Sequence, residues 1–156
     1  MDYPDFDNDF YNRLARLLCS SYEHWTGRQL ITEHRQTGNL LHTLFDAPFV
    51  IVSHGTEDDS IFNFGNRAAL ELFELPWEEF IRLPSRKSAD AENLEDRKQL
   101  MARVKKNGYA DDCSGVRVTA TGKRFLITGA TVWNVIDANN TYHGQAAMFS
   151  DWSWIK

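Results

Sequence analysis

Near the C-terminus two apolar runs, FLITGATVWNVI (125–136) and QAAMFSDWSWI (145–155), flank the polar stretch DANNTYHG (137–144). Runs rich in β-branched and aromatic residues, separated by an Asp/Asn/Gly cluster, predict an antiparallel hairpin. Strict alternation puts Phe125, Ile127, Gly129, Thr131, Trp133 and Val135 on one face, and Leu126, Thr128, Ala130, Val132, Asn134 and Ile136 on the other. Both faces carry large apolar groups, whereas a half-solvated antiparallel sheet shows polar residues on one of them. The pattern therefore demands cover on each side of the sheet and points to an α+β domain.

The chain has 156 residues, enough for one domain with a single core. Its net charge of −5 argues against binding driven by the phosphates of nucleic acid or by anionic lipid. The two cysteines, Cys19 and Cys113, are far apart and form neither a CxxC pair nor a disulfide framework, which fits a reducing compartment. The start, MDYPDFDNDF, is acidic where a signal peptide needs a basic and then an apolar run, and no later segment suits a bilayer span. A cytoplasmic protein without membrane attachment is the expectation.

Along the chain, Phe6, Phe10, Leu14, Leu17, Leu18 and Trp25 recur at helical spacing behind Asp5, Asp7 and Asp9, which suit the positive end of a helix dipole. This amphipathic helix either packs on the core or serves as a dimerisation or capping helix through Phe6, Phe10, Leu14 and Leu17, on its own sheet or a neighbour's. The polar stretch TGRQLITEHRQTG (26–38) reads as a linker, so residues 1–38 form an N-terminal extension and 39–156 the domain. A short helix NLLHTLFD precedes strands PFVIVSH (48–54) and IFNFGN (61–66), joined by the turn GTEDDS. Asn66 is placed to cap the helix RAALELFEL, and Pro76 to begin WEEFIRL, which Pro84 ends. After the polar LPSRKSADAEN, a longer helix aligns Leu94, Met101 and Val104 until Asn107 and Gly108 stop it. Strands at about 109–119, 123–136 and 142–154 complete the chain.

Strand, strand, short helices, longer helix and three strands is the order of the PAS fold. NRAALELFEL (66–75) resembles the helix after its second strand, and DANNTYHGQAAMFSDW (137–152) its last turn and strand. More specifically, IFNFGNRAALELFELPWEEFIRLPSRKSA (61–89) with that ending resembles the MEKHLA domain, over about residues 39–155. This PAS-related family is known from standalone bacterial proteins and from the C-terminus of plant homeodomain-leucine zipper transcription factors. The resemblance implies a five-stranded antiparallel sheet with helices on one face and, where a ligand is held, a pocket between them. It does not imply DNA binding, because the plant relatives use a separate homeodomain and zipper without counterpart in this sequence.

Flavin photoreceptors on this fold use a cysteine within an NCRFLQ-like helix, and haem-binding members an axial histidine on the longer helix. The sequence has no NCRFLQ-like segment and no histidine from Asp90 to Asn107, so both cofactors are argued against. His24, His34, His42, His54 and His143 show no metal-ligand spacing, and no metal is expected. GxSxG, HExxH and GxxxxGK[ST] are absent, and no catalytic set emerges.

Candidates to line a small-molecule pocket are Phe62, Phe64, Leu70, Phe73, Met101, Trp133, Met148 and Phe149, against the reading that they simply pack. Asn66, Ser85, Arg86 and Lys87 are candidate polar groups at its mouth, against a solvated loop in which Arg86 pairs with Glu92 or Asp96. The leading expectation is a non-enzymatic sensory or ligand-binding module, homodimeric and signalling through another protein. One rival is an interaction module with a solid core that meets its partner through Trp152 and Trp154. Another is an enzyme acting on a small apolar substrate.

Overall fold

In the computed structural model, which describes residues 3–31, 39–89 and 94–156, helix α1 (Asp9–Thr26) starts where Asn8 Oδ1 accepts the Tyr11 N–H at 3.1 Å. It ends at Gly27, whose φ of 72° is left-handed. Phe6, expected on the helix, precedes that cap and packs on Phe45 with ring centroids 5.8 Å apart. The remaining helices are α2 (Leu40–Phe45), α3 (Arg67–Phe73), α4 (Trp77–Phe80) and α5 (Leu94–Asn107), with a 3-10 turn at Ser85–Ser88.

The strands are β1 (Val50–His54), β2 (Phe62–Gly65), β3 (Tyr109–Val118), β4 (Arg124–Ile136), β5 (Tyr142–Phe149) and β6 (Asp151–Ile155). They form one antiparallel sheet in the order β2-β1-β5-β4-β3, with β6 also on β4. The last expected strand is thus divided at Ser150. Long β4 holds both pieces, pairing with β5 from Thr131 to Ile136 and with β6 from Arg124 to Thr128.

Strict alternation fails at Gly129. Cys113 pairs with Ala130 and Gly115 with Ile127, so two steps on β3 span three on β4, and Gly129 absorbs the extra residue at a φ of 69°. A bulge of one residue inverts the parity of everything beyond it. Phe125 and Ile127 therefore share the inner face with Ala130 and Val132, while Thr131, Trp133 and Val135 take the outer face. A second bulge, at Asp112 with φ 54°, restores the register of β3.

The two faces have different cover. On the inner face the cross-strand row Val52, Ala147, Val132, Ala110 lies beneath α5 and the 3-10 turn. On the outer face the row Phe64, Ser53, Ala146, Trp133 meets α1. Trp133 Nε1 donates to Ser21 Oγ at 3.1 Å, and its ring meets Tyr22 edge-on at 5.0 Å. Buried Leu14, Ala15, Leu18, Ser21 and Tyr22 form the stripe of α1 that does this work. Trp25 anchors its C-terminal end by donating to the Asn134 carbonyl at 2.9 Å. Its ring fills the space a Cβ on Gly108 would need, 2.4 Å away. Past the helix, Arg28 grips Asp111 at 2.7 and 3.1 Å, and Thr131 donates to the same carboxylate at 2.8 Å.

Candidate functional site

Between the inner face, α5 and the 3-10 turn lies a cavity of about 230 Å³. Close-packed interiors leave few voids larger than a water molecule, so a space of this size has a sequence cause. Ala130 and Ala147 on the sheet, Gly115 on β3, and Ser85 and Ser88 on the 3-10 turn are small where larger side chains would close the gap. Phe62, Phe73, Leu100, Met101 and Phe149 supply the bulky apolar walls.

The polar groups around it are mostly engaged within the protein. Ser88 Oγ donates to the Ser85 carbonyl at 2.7 Å, Gln145 Nε2 to Asn134 Oδ1 at 3.3 Å, and His54 Nδ1 lies 3.0 Å from the Gly55 carbonyl. Among the described residues no buried side-chain nitrogen or oxygen lacks a partner. The cavity therefore offers apolar surface first, with a few secondary polar contacts. Cys113 lines it, but its thiol donates to the Ala110 carbonyl at 3.4 Å and burial pushes its pKa up. That keeps sulfur in the thiol form, the poor nucleophile. Among the described residues no group of three metal-ligating side chains comes together.

Of the eight candidate lining residues, Phe62, Phe73, Met101 and Phe149 meet at this cavity. Phe64, Trp133 and Met148 do not: the registers put them on the outer face, with Met148 in the row of Ile51 and Thr131. Leu70 is buried in the core without reaching the cavity wall.

Of the four candidate mouth residues, Ser85 lines the cavity. Arg86 and Lys87 point outward, as alternate sides of the 3-10 turn require, and Arg86 Nε pairs with Asp59 at 2.9 Å. The acids proposed for it, Glu92 and the side chain of Asp96, lie outside the described residues.

Asn66 is no mouth residue either. Fully buried, it accepts the Ile51 and Ala69 N–H groups, each at 3.1 Å, and donates to the Leu44 and Phe49 carbonyls at 3.2 and 2.7 Å. It caps α3 and at the same time ties α2, β1 and α3 together. Of the candidate dimer-helix residues, Leu14 is buried, Leu17 and Phe6 are half-buried, and Phe10 is 51% exposed.

Sequence reasoning missed Ala130, Ala147, Ser88 and Cys113 as wall residues. Gly129 was the available signal, since a glycine inside an apolar strand marks a bulge and hence a change of face.

A 2-1-5-4-3 antiparallel sheet with helices and a cavity against one face defines a PAS-type domain. In keeping with this, the PAS domain of a protein from Colwellia psychrerythraea superposes with a TM-score of 0.60 at 14% identity, over 73% of this chain and 92% of that one. The light-state dimer of the fungal blue-light photoreceptor Vivid gives 0.55 at 12% identity, over 83% and 89%.

Within that fold the chain belongs to the MEKHLA domain family, whose model matches residues 12–154 and so takes in most of α1. It is 27% identical over 146 residues to the homeobox-leucine zipper protein ATHB-14 of Arabidopsis thaliana, covering 91% of this chain and 17% of the relative. The chain thus spans less than a fifth of the length of the curated relatives it matches. Among the described residues no helix is long and apolar enough to cross a membrane.

Proposed function

We propose that the protein is a non-enzymatic sensory module that holds a small, mainly apolar molecule in the inner-face cavity and reports it through protein contacts. The observation that carries this reading is the 230 Å³ space walled by small residues between large apolar ones. A solid-core interaction domain would gain packing from larger side chains at these positions, because unfilled space forfeits contacts for the walls around it. The buried, raised thiol of Cys113 speaks against nucleophilic catalysis there.

Signal transfer has a short route. Val132 on the cavity wall precedes Trp133, which holds α1 through Ser21 and Tyr22. A ligand that prefers one setting of β4 over another shifts α1 by its differential affinity, and only by that amount. Tyr3 and Phe10, 46 and 51% exposed near the start of α1, are the side chains through which a homodimer would form. Two free cysteines accord with a reducing, cytoplasmic setting.

Native mass spectrometry of freshly purified protein tests the reading. A reproducible added mass is expected, lost in Ala147→Phe, whose ring would occupy the cavity while the fold is retained by circular dichroism. Bare wild-type protein that also gains no thermal stability from a panel of apolar small molecules refutes it.

A further inference from the structure

Beyond Phe149 the last strand loses a neighbour. Pairing with β1 ends where Val50 meets Phe149, and among the described residues β6 is bonded through one edge only, to β4. Along its other edge, between β6 and α3, runs a groove of about 310 Å³ bordered by Phe49, Leu72, Trp152 and Trp154, with Glu71 beside it. The only charge on β6 is the exposed Asp151 at its start, and from Trp152 to Ile155 no proline or charge interrupts the strand, although unpaired edges commonly carry such protection along their length.

Trp152 and Trp154 are 37 and 48% exposed, their rings 5.0 Å apart at 81°, and each meets Phe125 edge-on at 5.9 Å. They are thus braced side chains that keep indole surface toward solvent. Trp154 already attracts a cation within the chain, since Lys123 Nζ lies 5.7 Å from its ring centroid while paired with Glu74. Glu71 is exposed and makes no ion pair or side-chain hydrogen bond among the described residues.

Bare backbone, aromatic faces and an unpaired carboxylate together specify an occupant. Strand addition supplies main-chain hydrogen bonds, and the side chains on one face of the added strand enter the groove. A second copy brings the same net charge of −5 and another Glu71, so charge complementarity selects a basic guest. We infer that the β6 edge and its groove dock an extended, basic segment of a partner protein, with a lysine or arginine side chain laid between Trp152, Trp154 and Glu71.

The test is fluorescence anisotropy with the full chain and a fluorescein-labelled heptapeptide of alternating lysine and valine. Saturable binding is expected, weakened about threefold or more by Glu71→Gln and by Trp154→Ala. Glu79→Gln, an exposed acid on α4, should leave affinity unchanged. N-methylating the peptide backbone along one edge should abolish binding.

Four outcomes of the peptide titrations overturn the inference. These are equal binding of a glutamate-for-lysine peptide, equal loss in Glu79→Gln, indifference to N-methylation, and no binding up to about 1 mM. A concentration-dependent dimer that the peptide fails to compete with also overturns it, because a second copy then holds the edge.

Discussion

Asn66 is the position at which a structural and a ligand-binding role separate most cleanly. Its side chain makes four hydrogen bonds inside the protein, two as acceptor and two as donor, with no exposure to solvent. Each such bond contributes about 1 kcal/mol net, and a buried group left without its partner costs about 1–3 kcal/mol. Asn66→Ala orphans two N–H groups and the Phe49 carbonyl at once, while the Leu44 carbonyl keeps the Ala47 N–H at 3.3 Å, so a loss of about 3 kcal/mol is expected, against about 1 kcal/mol for a helix cap alone.

Asn66→Asp sharpens the comparison. Aspartate caps helices as well as asparagine does, but here its carboxylate would face the Leu44 and Phe49 carbonyls without a proton to offer them. The Asp variant should therefore lose at least as much stability as Ala. Urea unfolding at pH 7, followed by tryptophan fluorescence, gives both values if the m-value is unchanged. A cost near 1 kcal/mol for Ala together with a neutral Asp would refute the reasoning and leave Asn66 a simple cap.

Other positions carry expectations of different kinds. Gly144→Ala would set a Cβ 2.0 Å from the His54 carbonyl at a φ of 127°, and should cost more than about 3 kcal/mol in urea unfolding or prevent folding. By contrast, Gly129→Ala has nothing within 4 Å of its new Cβ and should cost only about 1–2 kcal/mol, for left-handed backbone alone. A double-mutant cycle of Trp133→Phe and Ser21→Ala should give about 1 kcal/mol of coupling, and zero coupling would remove the hydrogen bond from the account of how α1 is held. Hydrogen bonds from Thr119 and Thr121, and then the Lys123 ammonium, hold Glu74 down to a pKa of about 2. The folded state thus binds fewer protons than the unfolded chain between about 2 and the ordinary glutamate value of about 4.3. This contribution is complete above that upper value and disappears as pH falls toward about 2, so Glu74→Gln should flatten the acid limb of the stability curve.

Local chemistry was legible in the sequence by itself. Asn66 opens α3 as the acceptor for the Ala69 N–H, and α5 ends at Asn107 before Gly108 with its left-handed φ of 84°, because caps and stops depend on a single residue's geometry. The apolar run 125–136 became β4, and the run 145–155 paired with it as β5 and β6, since β-branched and aromatic residues around a turn cluster leave few alternatives. The demand for cover on both sheet faces was also legible, and α1 and α5 meet it.

Tertiary structure alone decided which residue faces which cover. The alternation through β4 inverts at Gly129, and the sequence shows a glycine there without showing that two steps of β3 would span three of β4. Register is a property of two strands together, so one extra residue moved Trp133 from the expected pocket to the outer face, beneath Ser21, and brought Ala130 and Val132 to the cavity. Asn66 shows the same limit. Its capping oxygen follows from the segment after it, but its amide's partners, Leu44 and Phe49, arrive only when the chain folds back. The bare edge of β6 likewise exists because β1 begins only at Val50, 105 positions before β6 ends at Ile155. Contacts of that separation are fixed by how elements pack, and no local pattern encodes them.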